Sequence, residues 1–165
     1  MDAIEMLEEQ HRNVEDLFEQ VQSADPAERA DLFAELADEL TLHAAIEERH
    51  FYPAVRHHTT ESLVLEALED HIAVKVMLAE LLEMPPEEPA FVDRLATLQQ
   101  QVEEHVEEEE KELFPKVREI LDEATLDALA AEMSDTLEIL VEHGEPRLLI
   151  QRPGESGGHP AASVR

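Results

Sequence analysis

Two short stretches of the sequence each place a histidine four residues before a glutamate, at His43 and Glu47 and again at His105 and Glu109. Residues four apart share one face of an α-helix, so each pair can direct an imidazole nitrogen and a carboxylate oxygen to one point. Nitrogen and oxygen donors without sulfur suit iron or manganese, and zinc is also compatible. The spacing therefore predicts metal binding.

The pattern is duplicated, and the duplication includes two further histidines. His43 matches His105 at an offset of 62 residues, and His11 matches His71 at an offset of 60. Two such hairpins predict a pseudo-twofold axis with one metal per half, and metal ions in two-metal centres lie roughly 3.5–4 Å apart. A single histidine of this kind is more often a core residue with a hydrogen-bond partner, so the prediction depends on the combined pattern.

The elements that must position these residues are four long amphipathic segments, beginning at about residues 2, 26, 60 and 90. Their apolar residues recur at spacings of three and four, and all six candidates lie on these apolar seams. Such seams are typical of helices in an up-down-up-down four-helix bundle. Each buried polar group without a partner costs about 1–3 kcal/mol, and a charge costs more. A shared metal site would satisfy all six groups together.

The sequence predicts an all-α protein in three parts. Residues 1–122 form the bundle, 123–144 form an additional C-terminal helix packed on it, and 145–165 form a mostly disordered tail that is rich in Gly, Pro and Ser. Gly144 is the expected C-terminal cap of the extra helix.

The composition excludes several classes of function. Lys plus Arg is 12 and Asp plus Glu is 41, giving a net charge of −29, which opposes binding to nucleic acid and to anionic membranes. There is no cysteine, which excludes thiolate catalysis, disulfides and iron–sulfur clusters. No apolar run approaches a membrane span and no signal-peptide pattern is present, so the expected location is cytoplasmic.

Residues 3–121 resemble the hemerythrin-like family, also called the HHE cation-binding domain, because both halves carry a histidine followed by the His-x-x-x-Glu pair. The resemblance implies two iron ions with an oxo, hydroxo or water bridge, and makes manganese or zinc less expected. The implied ligands are His11 and His43 on one iron, His71 and His105 on the other, and Glu47 and Glu109 bridging both.

Two departures from the family bear on function. Oxygen-carrying hemerythrins have a second histidine one turn along the third helix, where this chain has Lys75, and a bridging carboxylate at the position of Glu110, whereas the seam favours Glu109. The missing histidine leaves an open position for water or an exogenous ligand, which favours sensing or redox chemistry over plain oxygen carriage. Further candidates for residues surrounding the metal ligands are Lys75, Tyr52, Glu48 and Glu110.

The predicted function is a di-iron protein that binds or turns over O2, hydrogen peroxide or nitric oxide. If it is an enzyme, it is an oxidoreductase that consumes peroxide or nitric oxide. The alternative is an iron or oxygen sensor, in which metal occupancy controls conformation or the docking of a protein partner. A metal-free bundle acting through its acidic surface is a third interpretation. A ferritin-like ligand set based on Glu8-x-x-His11 and Glu47-x-x-His50 is disfavoured, because the second hairpin has no copy.

Overall fold

The computed structural model describes residues 1–144 and 146–150, with only the backbone at 148 and 149. The all-α bundle expected from the sequence is confirmed. The elements are α1 (Ala3–Ser23), α2 (Pro26–Ile46), a π-helical turn (Glu47–Phe51), α3 (Tyr52–Val55), α4 (Glu61–Leu82), α5 (Pro89–Glu108), a second π-helical turn (Glu109–Leu113), α6 (Phe114–Ile120), α7 (Glu123–Glu142) and a 3-10 turn (Pro146–Leu149).

Local signals in the sequence set where the helices begin. Asp2 caps α1 by accepting a hydrogen bond from the backbone N–H of Glu5 at 2.9 Å, while the Glu5 carboxylate accepts one from the Asp2 N–H. Such a capping box satisfies two backbone donors that the first turn of a helix leaves free. Arg118 donates to Asp2 at 2.9 Å, which ties the end of the fourth helical run to the start of the first. Pro26 and Pro89 occupy the first positions of α2 and α5, where no backbone donor is needed.

The second and fourth helical runs each contain one π-helical turn, and the two turns are equivalent under the duplication. The backbone N–H of Tyr52 donates to the carbonyl of Glu47, and that of Phe114 donates to the carbonyl of Glu109. A proline directly follows Tyr52 and Phe114, and a proline cannot donate to the carbonyl four residues before it. The second run is therefore divided into α2 and α3, and the fourth into α5 and α6. Each π-helical turn begins at a candidate bridging glutamate.

The apolar core lies in two parts, above and below the middle of the bundle. Along α1, Leu7 belongs to one part and Val14 to the other, with His11 between them. The same division occurs on α4, where His71 separates Ala67 from Leu78. The polar candidates thus occupy one layer between two apolar layers.

Helix α7 packs outside the bundle against α1, α2 and the first π-helical turn. Its buried residues are Leu126, Leu129, Ala130 and Met133, which join the core part nearest α3 and α6. The helix is followed by Gly144 with φ +75°, a left-handed conformation that glycine adopts without strain. Among the described residues, we find no helix with the length and apolarity that crossing a bilayer requires.

The described part of the expected tail is the segment 146–150. Arg147 lies 2.9 Å from Asp38 of α2, and Ile150 is buried in the core part that contains Leu36. Glu145 and residues 151–165, for which disorder was expected, lie outside the described residues.

Candidate metal centre

Six polar side chains from the four helical runs point into the layer between the two apolar parts, and we call them the buried cluster. None is more than 7% exposed, although histidine and especially glutamate usually keep contact with water. The members of the buried cluster are His11, His43, Glu47, His71, His105 and Glu109. All six candidate metal ligands identified in the sequence therefore come together.

The buried cluster contains two groups of possible ligand atoms, each with its atoms within 4.8 Å of one another. The groups are His11, His43, Glu47 and Glu109, and Glu47, His71 and His105. We call the His11–His43 side the first half and the His71–His105 side the second half. Glu47 belongs to both groups, so its carboxylate lies between the halves.

Distances within the buried cluster show how the carboxylates join the halves. Oε1 of Glu47 lies 3.1 Å from Nε2 of His43 and 3.1 Å from Nε2 of His71. Oε1 of Glu109 lies 3.3 Å from Nε2 of His11 and 3.5 Å from Nε2 of His105. Each carboxylate thus contacts one histidine from each half, an arrangement that would let it bridge two cations.

Most of the inward-facing atoms have no hydrogen-bond partner within the described part of the chain. The unpartnered buried atoms are Nε2 of His11, His43 and His105, both carboxylate oxygens of Glu47, and Oε1 of Glu109. Leaving such groups unsatisfied costs about 1–3 kcal/mol each. Cations between the two halves would accept all these lone pairs, so the residues present fit a two-metal site.

Every histidine of the buried cluster has an acceptor at its other ring nitrogen, Nδ1. The pairs are His11 with Glu110 at 2.6 Å, His43 with Gln10 at 2.6 Å, His71 with Glu48 at 2.8 Å and His105 with Asp70 at 3.2 Å. A histidine that donates from Nδ1 keeps a lone pair at Nε2, the tautomer that a metal needs. The outer contacts therefore leave Nε2 of each ring as the atom directed into the layer, which is the orientation that a metal site would need.

Two of these acceptors are themselves held by cations. Nζ of Lys75 lies 2.9 Å from each oxygen of Glu48, and Nη2 of Arg12 lies 2.5 Å from Glu110. The hydrogen bond from His11, together with Arg12, lowers the pKa of Glu110 to about 2 against the effect of partial burial. Glu110 thus contacts Nδ1 of His11, and Lys75 contacts Glu48, the acceptor for His71. Both residues were predicted from the sequence to surround the metal ligands.

Tyr52 makes the two halves chemically different. Its hydroxyl donates to Oε2 of Glu109 at 2.6 Å and lies 3.2 Å from Nε2 of His71. Burial, together with the charges of Glu47 and Glu109, raises the pKa of Tyr52 well above its usual value. The equivalent residue of the second hairpin is Phe114, whose ring stacks on His11 with centroids 6.0 Å apart.

The carboxylates of the site also hold protons on two of the histidines. Burial opposes protonation of His11, but Glu109 and Glu110 outweigh it and raise the pKa of His11 to about 9. Glu47 and Glu48 overcome the same penalty at His71 and raise its pKa to about 10. A metal ion that binds these rings would have to displace the protons.

Sequence analysis missed Gln10 and Asp70, the acceptors for His43 and His105. Each directly precedes a seam histidine, at His11 and His71, and the two match at the same offset of 60. That repeated position was the available signal. It was not recognised because the residue is an amide in one half and a carboxylate in the other.

His50 does not join the buried cluster. Its Nε2 lies 2.6 Å from Oγ1 of Thr136, so the ring faces α7. The ferritin-like alternative, which required His50 as a ligand, therefore has no support in the geometry.

A narrow cavity of about 30 Å³ leads to the four histidines, which is space for about two water molecules. Its remaining walls are mostly apolar, and Leu40, Leu78 and Val102 are among them. The cavity admits only a very small molecule.

Two of the comparisons with known proteins name the same domain. The hemerythrin HHE cation binding domain matches residues 2–117. The chain is 26% identical over 159 residues to Rv2633c of Mycobacterium tuberculosis, covering 94% of this chain and 96% of that protein. The crystal structure of a hemerythrin HHE cation binding domain-containing protein from Mycobacterium kansasii, a homologue of Rv2633c, matches with a TM-score of 0.78 and 29% identity, covering 92% of this chain and 94% of that one.

A further relative is longer than this chain. The chain is 31% identical over 133 residues to a DNA nickase of Nostoc sp. (strain PCC 7120 / SAG 25.82 / UTEX 2576), covering 80% of this chain and 38% of that protein. The chain thus spans well under half the length of that relative.

Proposed function

Because the chain belongs to the hemerythrin HHE cation-binding family, we propose that it holds two iron ions and binds or turns over a small oxidant, namely O2, hydrogen peroxide or nitric oxide. The observation that carries the proposal is the set of buried, unpartnered nitrogen and oxygen atoms that converge between the two halves. The donor set suits iron. Iron rather than manganese or zinc is what the resemblance to hemerythrins implies.

The proposed ligands follow from the two atom groups. They are His11 and His43 on the first iron, His71 and His105 on the second, and Glu47 and Glu109 between the two. Bound iron would supply electron transfer and a Lewis-acidic position for the small molecule.

The chain contributes orientation, a proton donor and exclusion of water. The Nδ1 contacts hold the four rings, while the hydroxyl of Tyr52 keeps a proton beside Glu109 and His71. The cavity walls of valine and leucine restrict access to molecules of a few atoms. A cavity of about 30 Å³ has room for a diatomic gas or peroxide.

DNA nicking, named for the Nostoc relative, is not part of the proposal. The chain spans 38% of that protein, and its net charge of −29 repels a phosphate backbone.

Metal analysis of the purified protein, followed by optical spectra with O2, peroxide and nitric oxide, tests the proposal. We expect two irons per chain and a spectral change with at least one of the three ligands. Consumption of many equivalents of peroxide or nitric oxide identifies an enzyme, and stoichiometric binding identifies a carrier or sensor. Protein that takes up no iron when supplied with ferrous ion refutes the proposal.

One observation favours the sensor as a second candidate. His50 belongs to the π-helical turn that begins at Glu47, and it hydrogen-bonds to Thr136 of α7. A change at Glu47 on metal loss can therefore alter how α7 packs. Hydrogen exchange of α7 in iron-loaded and chelated protein tests this candidate: a sensor shows faster exchange after chelation, and equal rates argue against it.

A further inference from the structure

The four acceptors around the buried cluster form two pairs that are related by the duplication. The two members of one pair carry the same charge, and the two members of the other pair do not. Glu48 and Glu110 each follow a bridging glutamate, and both are carboxylates. Gln10 and Asp70 each precede a cluster histidine, but one is a neutral amide and the other a carboxylate. The halves therefore differ in charge at one outer position.

Neighbouring cations cancel the charge of the matched pair. Lys75 contacts both oxygens of Glu48, and Arg12 contacts Glu110. Each of these carboxylates therefore adds little net charge to its half, since an opposite charge lies within hydrogen-bonding distance.

No cation pairs with Asp70 among the described residues. Its Oδ1 accepts from the neutral amide of Gln101 at 3.2 Å, and its Oδ2 accepts from Nδ1 of His105 at 3.2 Å. Other carboxylates lie in the same region, because the charge of Asp70 is among those that act through space to raise the pKa of Glu108. The second half thus carries one uncompensated negative charge next to a candidate ligand.

The corresponding position in the first half is neutral. Oε1 of Gln10 accepts from Nδ1 of His43 at 2.6 Å. Glu39 interacts with His43 through space, without a hydrogen bond to the ring. A carboxylate acceptor at Nδ1 makes an imidazole a stronger donor at Nε2 than an amide acceptor does.

We propose that Asp70 and Gln10 are positioning residues that make the two metal positions inequivalent, so that the iron of the second half is oxidised first. The inference rests on the proposed di-iron function. The negative charge of Asp70 stabilises the higher oxidation state of the iron bound by His71 and His105. Because Gln10 is neutral, the iron of the first half is oxidised at a higher potential than the iron of the second half.

Two isosteric variants test the inference by moving one charge at a time. Asp70→Asn removes the carboxylate of the second half, and Gln10→Glu adds one to the first. The matched control is Glu69→Gln, which changes the same charge on the exposed neighbour of Asp70. The measurement is a spectroelectrochemical titration of the iron-loaded protein, which separates the two one-electron oxidation steps, with iron content determined for every sample.

We expect Asp70→Asn to raise the lower oxidation potential and Gln10→Glu to lower the upper one, so that both variants narrow the gap between the steps. A tenfold change in either equilibrium corresponds to about 59 mV for one electron. Glu69→Gln should shift the potentials of both oxidation steps equally, and by less than either test variant shifts its own step. Variants that move both steps together, as the control does, or that move the opposite step, overturn the inference.

The iron content distinguishes a failure of the proposed function from a failure of this inference. Wild-type protein without iron refutes the proposed function, and the inference with it. Two irons in every variant with an unchanged gap refute only the inference. If Asp70→Asn loses iron, Gln10→Glu decides, because it keeps every acceptor in place and adds only a charge.

Discussion

The hydroxyl of Tyr52 lies 2.6 Å from Oε2 of Glu109 inside the bundle, where Tyr52 is 2% exposed. This contact joins the two hairpins, because Tyr52 follows the first π-helical turn and Glu109 begins the second. The equivalent side chain, Phe114, has no hydroxyl and packs on His11. Oε2 of Glu109 therefore has a partner within the chain, whereas Oε1 is buried without a hydrogen-bond partner among the described residues.

Replacement of Tyr52 by phenylalanine tests this division. In chelated protein, Tyr52→Phe leaves Oε2 of Glu109 buried without a partner, which should lower the free energy of unfolding by about 1–3 kcal/mol. In iron-loaded protein the loss should be smaller, because the freed carboxylate oxygen can bind the metal. Chemical denaturation of both forms measures the difference. An equal loss in the two forms contradicts the assignment of Glu109 as a bridging ligand.

Histidine variants test which rings bind iron. His105→Ala removes a ligand of the second half and should reduce iron from two per chain to one or none. His50→Ala is the matched control, since His50 is a histidine of the same bundle whose ring contacts Thr136 instead of the buried cluster. Metal analysis of both purified variants checks the expectation. Full iron content in His105→Ala would count against the ligand assignment.

The convergence of the buried cluster was predictable because its members lie on the apolar seams at helical spacing. Burial of His43 and Glu47 follows from that periodicity alone, and the duplication places His105 and Glu109 beside them. Their role as metal ligands remains a prediction. The contacts at Nδ1 were not predictable, because they depend on how neighbouring helices are rotated against each other. Gln10 reaches His43 only in the packed bundle.

The contacts of long side chains and the irregularities of the backbone could also not be predicted from the sequence. Lys75 was predicted to lie near the metal ligands, but its contact with Glu48 was not predicted. Its flexible side chain allows several partners, and spacing does not choose among them. The π-helical turns depend on which carbonyl oxygen accepts from the backbone N–H before each proline, and the sequence pattern does not specify that acceptor.

Protonation of the buried cluster predicts a pH dependence for chelated protein. The pKa values of His11 and His71 are raised to about 9 and about 10, above the value of about 6.5 for an unfolded chain. Their stabilising effect is fully present below about pH 6.5 and is lost as the pH rises through 9 to 10.

Thermal unfolding of chelated and iron-loaded protein between pH 6 and pH 10 measures this effect. Chelated protein should lose stability across the range, and the iron-loaded form should lose less, because the metal replaces the protons. Iron binding near pH 7 should also release protons, which a pH indicator detects. A chelated form as stable at pH 10 as at pH 6 disproves the assignment of these protons.

We predict that the π-helical turn at Glu47 depends on the absence of a backbone donor at Pro53, which is exposed and can be replaced. Pro53→Ala supplies an N–H and permits a regular α-helical bond, which would turn the Glu47 carboxylate away from its position between His43 and His71. Iron affinity should fall, and the optical spectrum of the loaded protein should change. Pro26→Ala is the control, because Pro26 begins α2, where no donor is required. Unchanged iron affinity in Pro53→Ala would mean that packing around Phe51, rather than the proline, maintains the turn.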